Sequence, residues 1–101
     1  RVLFRSYRIL STVNEMSDMA NYILYHHERW DGKGYPKGLK AREIPFMSRI
    51  ISIADSYDAM TSKRSYRSAL TKKAAIEELR KNAGVQFDRE LVSIFIEKVL
   101  Q

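Results

Sequence analysis

The sequence predicts an all-α fold, a bundle of four to five helices around one small core. Apolar residues recur at helical spacing in successive stretches, capping residues stand at the boundaries of those stretches, and the strand signal is weak throughout. A chain of 101 residues, 45% hydrophobic and 11% aromatic, supports one compact domain of marginal stability. No internal repeat or low-complexity tract divides it.

The first stretch, Val2 to Leu10, carries Val2, Leu3, Phe4, Tyr7, Ile9 and Leu10 and reads as a helix. A second runs from about Met16 to Glu28, with Met16, Met19, Ala20, Ile23 and Leu24 at helical spacing and Asn14 or Ser17 as its cap. A loop from Arg29 to Gly38 follows and holds three of the four glycines, which marks backbone at positive φ or in close approach to another group. Pro45 suits the first position of the next helix, which Ile50, Ile51, Ile53, Ala54, Tyr57 and Met60 carry to about Thr61. The breadth of that apolar arc predicts a central, mostly buried helix. Thr71 caps a helix from Lys72 to Asn82, with Gly84 as its stop. Asp88 caps the last helix, whose inward face is Leu91, Val92, Phe95, Ile96 and Val99.

Composition removes several classes of function. There is no cysteine, so a disulfide framework and thiolate metal sites are excluded, and any metal must be held by imidazole and carboxylate. The apolar runs are far too short for a membrane span, and no signal peptide is visible, which makes the cytoplasm the expected compartment. Net charge is +6, and ten of the 18 Lys and Arg residues fall between Arg29 and Arg42 or between Lys63 and Lys73. Basic loops suit a phosphate-bearing ligand or an acidic partner, although a solvated surface carries such charges too. No helix carries the continuous basic stripe that duplex nucleic acid requires.

Three groups of residues could carry chemistry. His26 and His27 are adjacent and are the only histidines. On a helix His27 continues the inward face of Ala20, Ile23 and Leu24, while His26 lies about 100° around. Such a pair can serve two neighbouring metal ions, which stand about 3.5–4 Å apart in hydrolytic sites, or be one core histidine beside a surface one. Asp55 sits mid-helix among apolar residues, where a carboxylate needs a cation or donors, and Asp58 shares its face. Arg49, Arg64 or tyrosine side chains are alternative partners for these acids. Arg64 and Arg67, three residues apart, can converge on one phosphate.

The string His26-His27-Glu28-Arg29-Trp30-Asp31-Gly32-Lys33-Gly34-Tyr35-Pro36 resembles the HHExxDGxGYP signature of HD-GYP domains, which hydrolyse cyclic di-GMP. Arg49 to Ser62 is similar to the family's central RI…IADxYDAMTS helix. Arg64-Ser65-Tyr66-Arg67 resembles its RPYR segment with serine in place of proline. Asn82 to Asp88 resembles its NAGTQFDP segment, in which Arg89 replaces the final proline. The likeness runs from about Tyr7 to the C-terminus.

The resemblance implies a partial HD-domain bundle with a glycine-rich GYP loop, the chain forming the C-terminal portion with the HD half absent. It implies His26, His27 and Asp55 as metal ligands, and Tyr35, Arg64 and Arg67 as substrate contacts. Glu28, Asp31, Gly32, Gly34, Pro36 and Asp58 become supporting or loop-shaping positions. The family reaction is phosphodiester hydrolysis at an iron or manganese centre. Tyr7-Arg8-Ile9-Leu10 matches a stretch that usually follows a further histidine, and Val2 stands at that histidine's position. The metal centre is therefore expected to be incomplete, and the chain alone inactive. The alternatives are a non-catalytic module binding cyclic di-GMP, pGpG or a GGDEF-domain partner, or a helical module that pairs with its HD half or with a second copy.

Overall fold

The computed structural model describes residues 2–63 and 68–100, and among these every regular element is helical. Helix α1 spans Val2–Leu24, α2 Phe46–Thr61, α3 Lys72–Lys81 and α4 Arg89–Ile94, the last continuing as a π-helical turn over Phe95–Val99. Short 3-10 turns occupy Tyr25–His27 and Ala41–Glu43.

The two N-terminal helices expected from the sequence are one. Neither Asn14 nor Ser17 interrupts α1, because nothing between Leu10 and Met16 is a glycine or proline that would break the hydrogen-bond ladder. The helix is about 34 Å long at 1.5 Å per residue, and it stands out from the body. The molecule measures 54 × 29 × 28 Å with a radius of gyration of 16.7 Å, well above the roughly 13 Å of a compact domain this size. The C-terminal end of α1 is anchored on α2. There the buried Ser48 hydroxyl of α2 donates to the Tyr22 carbonyl at 2.7 Å.

The core lies at the opposite end. Ile53 of α2, Leu79 of α3, Val92 and Ile96 of the last helix, and Phe87 from the preceding turn form one buried cluster. Tyr57, Met60, Ile76 and Phe95 pack around it, Tyr57 and Phe95 meeting edge to face at 5.8 Å. Helix α2 is thus buried on one face only, since Ala54, Asp55 and Asp58 are exposed. Val99, expected to face inward, is exposed as well. A π-helical turn takes more residues per turn than an α-helix, so Val99 falls off the face set by Val92 and Ile96.

The boundary residues act as their chemistry requires. Thr71 Oγ1 accepts from the Ala74 N–H at 3.1 Å, and Asp88 Oδ1 accepts from the N–H groups of Glu90 and Leu91 at 3.0 and 3.4 Å. Asp88 also receives Arg49 Nη1 at 2.6 Å, with both side chains largely buried. This pairing takes Arg49 away from Asp55 and Asp58, the acids on its own helix, and ties α2 to the start of α4.

Candidate functional site

The site begins where α1 ends. The helix expected to continue to Glu28 stops at Leu24, tightens into the 3-10 turn Tyr25–His27, and leaves Glu28 in extended backbone. The tighter winding re-aims the two imidazoles. His26, not His27, turns toward α2, and its Nε2 stands 3.7 Å from Asp55 Oδ2. His27 is exposed, and its ring stacks on Tyr35 with centroids 5.0 Å apart and planes 17° from parallel. The two histidine rings are 3.9 Å apart, centroid to centroid.

His26 Nδ1 is hydrogen-bonded to the Ile23 carbonyl. A carbonyl only accepts, so Nδ1 carries the proton, and in the neutral ring Nε2 presents a lone pair toward the Asp55 carboxylate. Two electron-pair donors therefore face each other. Ligands about 2.1 Å from one cation lie roughly 3–4 Å apart, so the 3.7 Å separation and the donor chemistry both fit a divalent ion. Asp55 is 61% exposed rather than enclosed in apolar surroundings, so the carboxylate stays hydrated and reachable. Among the described residues no three His, Cys, Asp or Glu side chains close around a common point.

The glycine-rich loop is fastened to this turn by Glu28. Its side chain is buried, with the residue only 3% exposed, and its two oxygens accept from the N–H groups of Lys37 at 2.8 Å and Leu39 at 3.0 Å. Gly34 lies against the same segment. A Cβ there would stand 2.4 Å from the His27 carbonyl oxygen and 2.6 Å from the Arg29 nitrogen, so no larger residue fits without moving backbone. Gly32 and Gly38 take positive φ of 82° and 69°, and the Tyr35–Pro36 peptide is cis. Asp31 accepts from Arg29 Nε and Nη2 at 3.2 and 3.1 Å and from the Lys33 N–H at 3.0 Å. The Arg29 guanidinium, followed by the Lys33 N–H, holds the Asp31 carboxyl below the usual carboxylate range.

Backbone pairing then joins this loop to the far end of the chain. Trp30 N–H donates to the Gln86 carbonyl at 3.0 Å, and Asp31 N–H to that of Val85 at 2.9 Å. The Asn82 carbonyl gathers the N–H groups of Val85, Gln86 and Phe87, which curls residues 82–87 into a tight turn beneath the loop.

The result is a pocket of about 230 Å³ onto which His26, His27, Tyr35 and Asp55 converge. Asp58 is not in its lining and instead accepts from the Ser62 hydroxyl at 3.3 Å. Arg64 and Arg67 lie outside the described residues. Four further residues line the pocket without having been singled out by the sequence: Arg29, Ser52, Ser56 and Gln86. Each stands inside a family motif, Arg29 in His26–Pro36, Ser52 and Ser56 in Arg49–Ser62 and Gln86 in Asn82–Asp88, and membership of a motif was the available signal. The serines lie on the Asp55 helix one turn before it and one residue after it.

The HD domain family matches residues 2–91 of the chain. A cyclic di-GMP phosphodiesterase of Thermotoga maritima is 44% identical over 92 residues, which cover 89% of this chain and 25% of that protein. A 3'3'-cGAMP-specific phosphodiesterase 2 of Vibrio cholerae is 44% identical over 72 residues, covering 71% of this chain and 14% of the relative. The crystal structure of a cyclic GMP-AMP specific phosphodiesterase of V. cholerae, V-cGAP3, superposes with a TM-score of 0.65 at 31% identity, over 80% of this chain and 18% of that one. The chain spans a quarter or less of the length of these relatives. With its helical body, its HHE turn stacked on a GYP loop and its aspartate on the facing helix, the chain belongs to the HD-GYP branch of the HD domain family.

Proposed function

We propose that these residues form the metal- and phosphate-binding face of a cyclic dinucleotide phosphodiesterase acting in the cytoplasm, and that the 101 residues alone do not turn substrate over. The observation that carries this reading is His26 Nε2 standing 3.7 Å from Asp55 Oδ2, beside His27 and Tyr35 on one pocket. His26 and Asp55 would hold a divalent iron or manganese ion, with His27 at its edge. Such an ion, when bound, supplies charge neutralisation for a phosphodiester and activation of water. The chain's own contribution is orientation. The Ile23 carbonyl sets the His26 tautomer, Tyr35 holds the His27 ring, and Glu28 keeps the loop bearing Tyr35 in place. Arg64 and Arg67 would grip the phosphates of cyclic di-GMP or of its linear product pGpG.

The stripe of Met16, Met19, Ile23 and Leu24 on α1, each between 51% and 66% exposed, supports an incomplete site. The HD half of the domain, or a second copy of the chain, would cover it and bring the remaining ligands.

Manganese titration followed by paramagnetic broadening tests the metal site. Selective loss of the His26, His27 and Asp55 amide signals, reversed by chelator and abolished in His26→Ala, is the expected result. Broadening confined to other acidic residues would overturn it. Cyclic di-GMP incubated with the manganese-loaded chain should remain intact by chromatography, and turnover sensitive to His27→Ala would refute the claim that this chain is inactive alone.

A further inference from the structure

A second groove adjoins the histidine pocket on the side of α3. It has a volume of about 260 Å³, and Ser56 and Gln86 line both spaces, so the two lie side by side. Its floor is apolar, from Met60 and the buried Phe87, and Glu78 and Asn82 stand on its α3 side. Apolar side chains beside a few polar groups suit a heterocyclic ligand.

The polar groups are unequal in what they have left to give. Asn82 Nδ2 donates to the Glu78 main-chain carbonyl at 3.0 Å, which fixes the amide and leaves its Oδ1 as an acceptor. The half-buried Glu78 carboxylate has no hydrogen-bond or ion-pair partner among the described residues, although Arg80 and Lys81 follow closely in sequence. On its α3 side the groove thus presents the acceptor oxygens of Glu78 and Asn82.

Among the purines, guanine alone carries adjacent donors, N1–H and the N2 amino group, on its pairing edge. A carboxylate accepts both at once, whereas adenine would turn the N1 lone pair toward it. We infer that this groove receives a purine base of the substrate and that Glu78 selects guanine over adenine by accepting from N1–H and N2–H. The inference rests on the phosphodiesterase reading for the direction of the substrate. A phosphate at His26 and Asp55 would place the attached nucleoside across Ser56 and Gln86, into the groove. Glu78 is here a specificity-determining residue, outside the metal-binding face.

The test uses the 101-residue chain with GMP and AMP as probes, followed by amide chemical shifts. GMP should shift Ser56, Met60, Glu78 and Gln86 and bind about tenfold or more tightly than AMP. Glu78→Gln, which loses one acceptor oxygen, should abolish the preference, while Glu78→Asp, which keeps both, should retain it in weakened form. Equal affinity for the two nucleotides, no shift with either, or an undiminished preference in Glu78→Gln would overturn the inference. Manganese broadening at His26 and Asp55, run on the same samples, separates the two ideas. Broadening without guanine preference sinks the base pocket alone, and guanine preference without broadening sinks the metal reading while the pocket stands.

Discussion

Glu28 joins three parts of the site, and removing its carboxylate tests whether the loop depends on it. One oxygen takes the Lys37 N–H and the other the Leu39 N–H, at 2.8 and 3.0 Å, with the residue buried. A hydrogen bond to a charged group contributes about 1.5–3 kcal/mol, and a buried donor left without a partner costs about 1–3 kcal/mol. Lys37 lies at the surface, where water can reach its N–H, whereas Leu39 is half-buried. Glu28→Ala should therefore destabilise the chain by about 2–4 kcal/mol, a large share of what a small domain has. Glu28→Gln keeps one acceptor and turns an NH₂ toward the other N–H, so about 1.5–3 kcal/mol should be lost. Urea unfolding gives the free energy, and amide hydrogen exchange at Lys37 and Leu39 gives the location. In both variants exchange at these two amides should accelerate more than at Leu79 in the core. A change within about 0.5 kcal/mol, typical of an inert surface substitution, together with unaltered exchange at Lys37 and Leu39, would refute the reasoning.

Three further outcomes are expected. Gly34→Ala drives a Cβ into the His27 carbonyl oxygen and the Arg29 nitrogen, both backbone, and should cost about 1–3 kcal/mol or more while shifting the His27 and Tyr35 ring resonances; a wild-type melting temperature would show that the turn yields freely. Arg49→Ala leaves the Asp88 carboxylate largely buried without its cation and should cost about 3–5 kcal/mol by thermal or urea unfolding, and Arg49→Lys should recover only part because one point charge cannot also hold the Ile44 carbonyl. Asp31 should titrate below the ordinary carboxylate value of about 3.9, so whatever stability it contributes is present above that pH and fades as pH falls through its folded value. A carboxyl ¹³C titration reads this directly, and Arg29→Ala should return the midpoint toward the ordinary value; an unchanged midpoint would remove Arg29 as the cause.

Much of the fold and site was legible in local chemistry. The all-helical class, the Thr71 and Asp88 caps, and the spans of α2 and α3 follow from residue types whose effects act within a turn of the chain. The glycine-dense loop was legible for the same reason, since positive φ and close approach are demands that a single residue meets. The family motifs brought His26, His27, Tyr35 and Asp55 together before any geometry was known. Other features depend on partners far along the chain. Whether Val2–Leu10 and the following stretch were one helix turned on the absence of a breaker between them, and periodicity does not record continuity. Winding at helix ends decided which histidine faces Asp55, because a few tens of degrees per residue exchange an inward ring for an outward one. Arg49 chose Asp88, 39 positions away, over the acids on its own helix. Gln86 entered the site only when the 82–87 turn folded under the loop. The sequence by itself determined which residue types could bind a metal and where the chain must bend, because those are properties of single residues and short patterns. Only the tertiary structure decided which of them meet, because ring orientation, ion-pair choice and pocket walls arise where segments distant in sequence pack against one another.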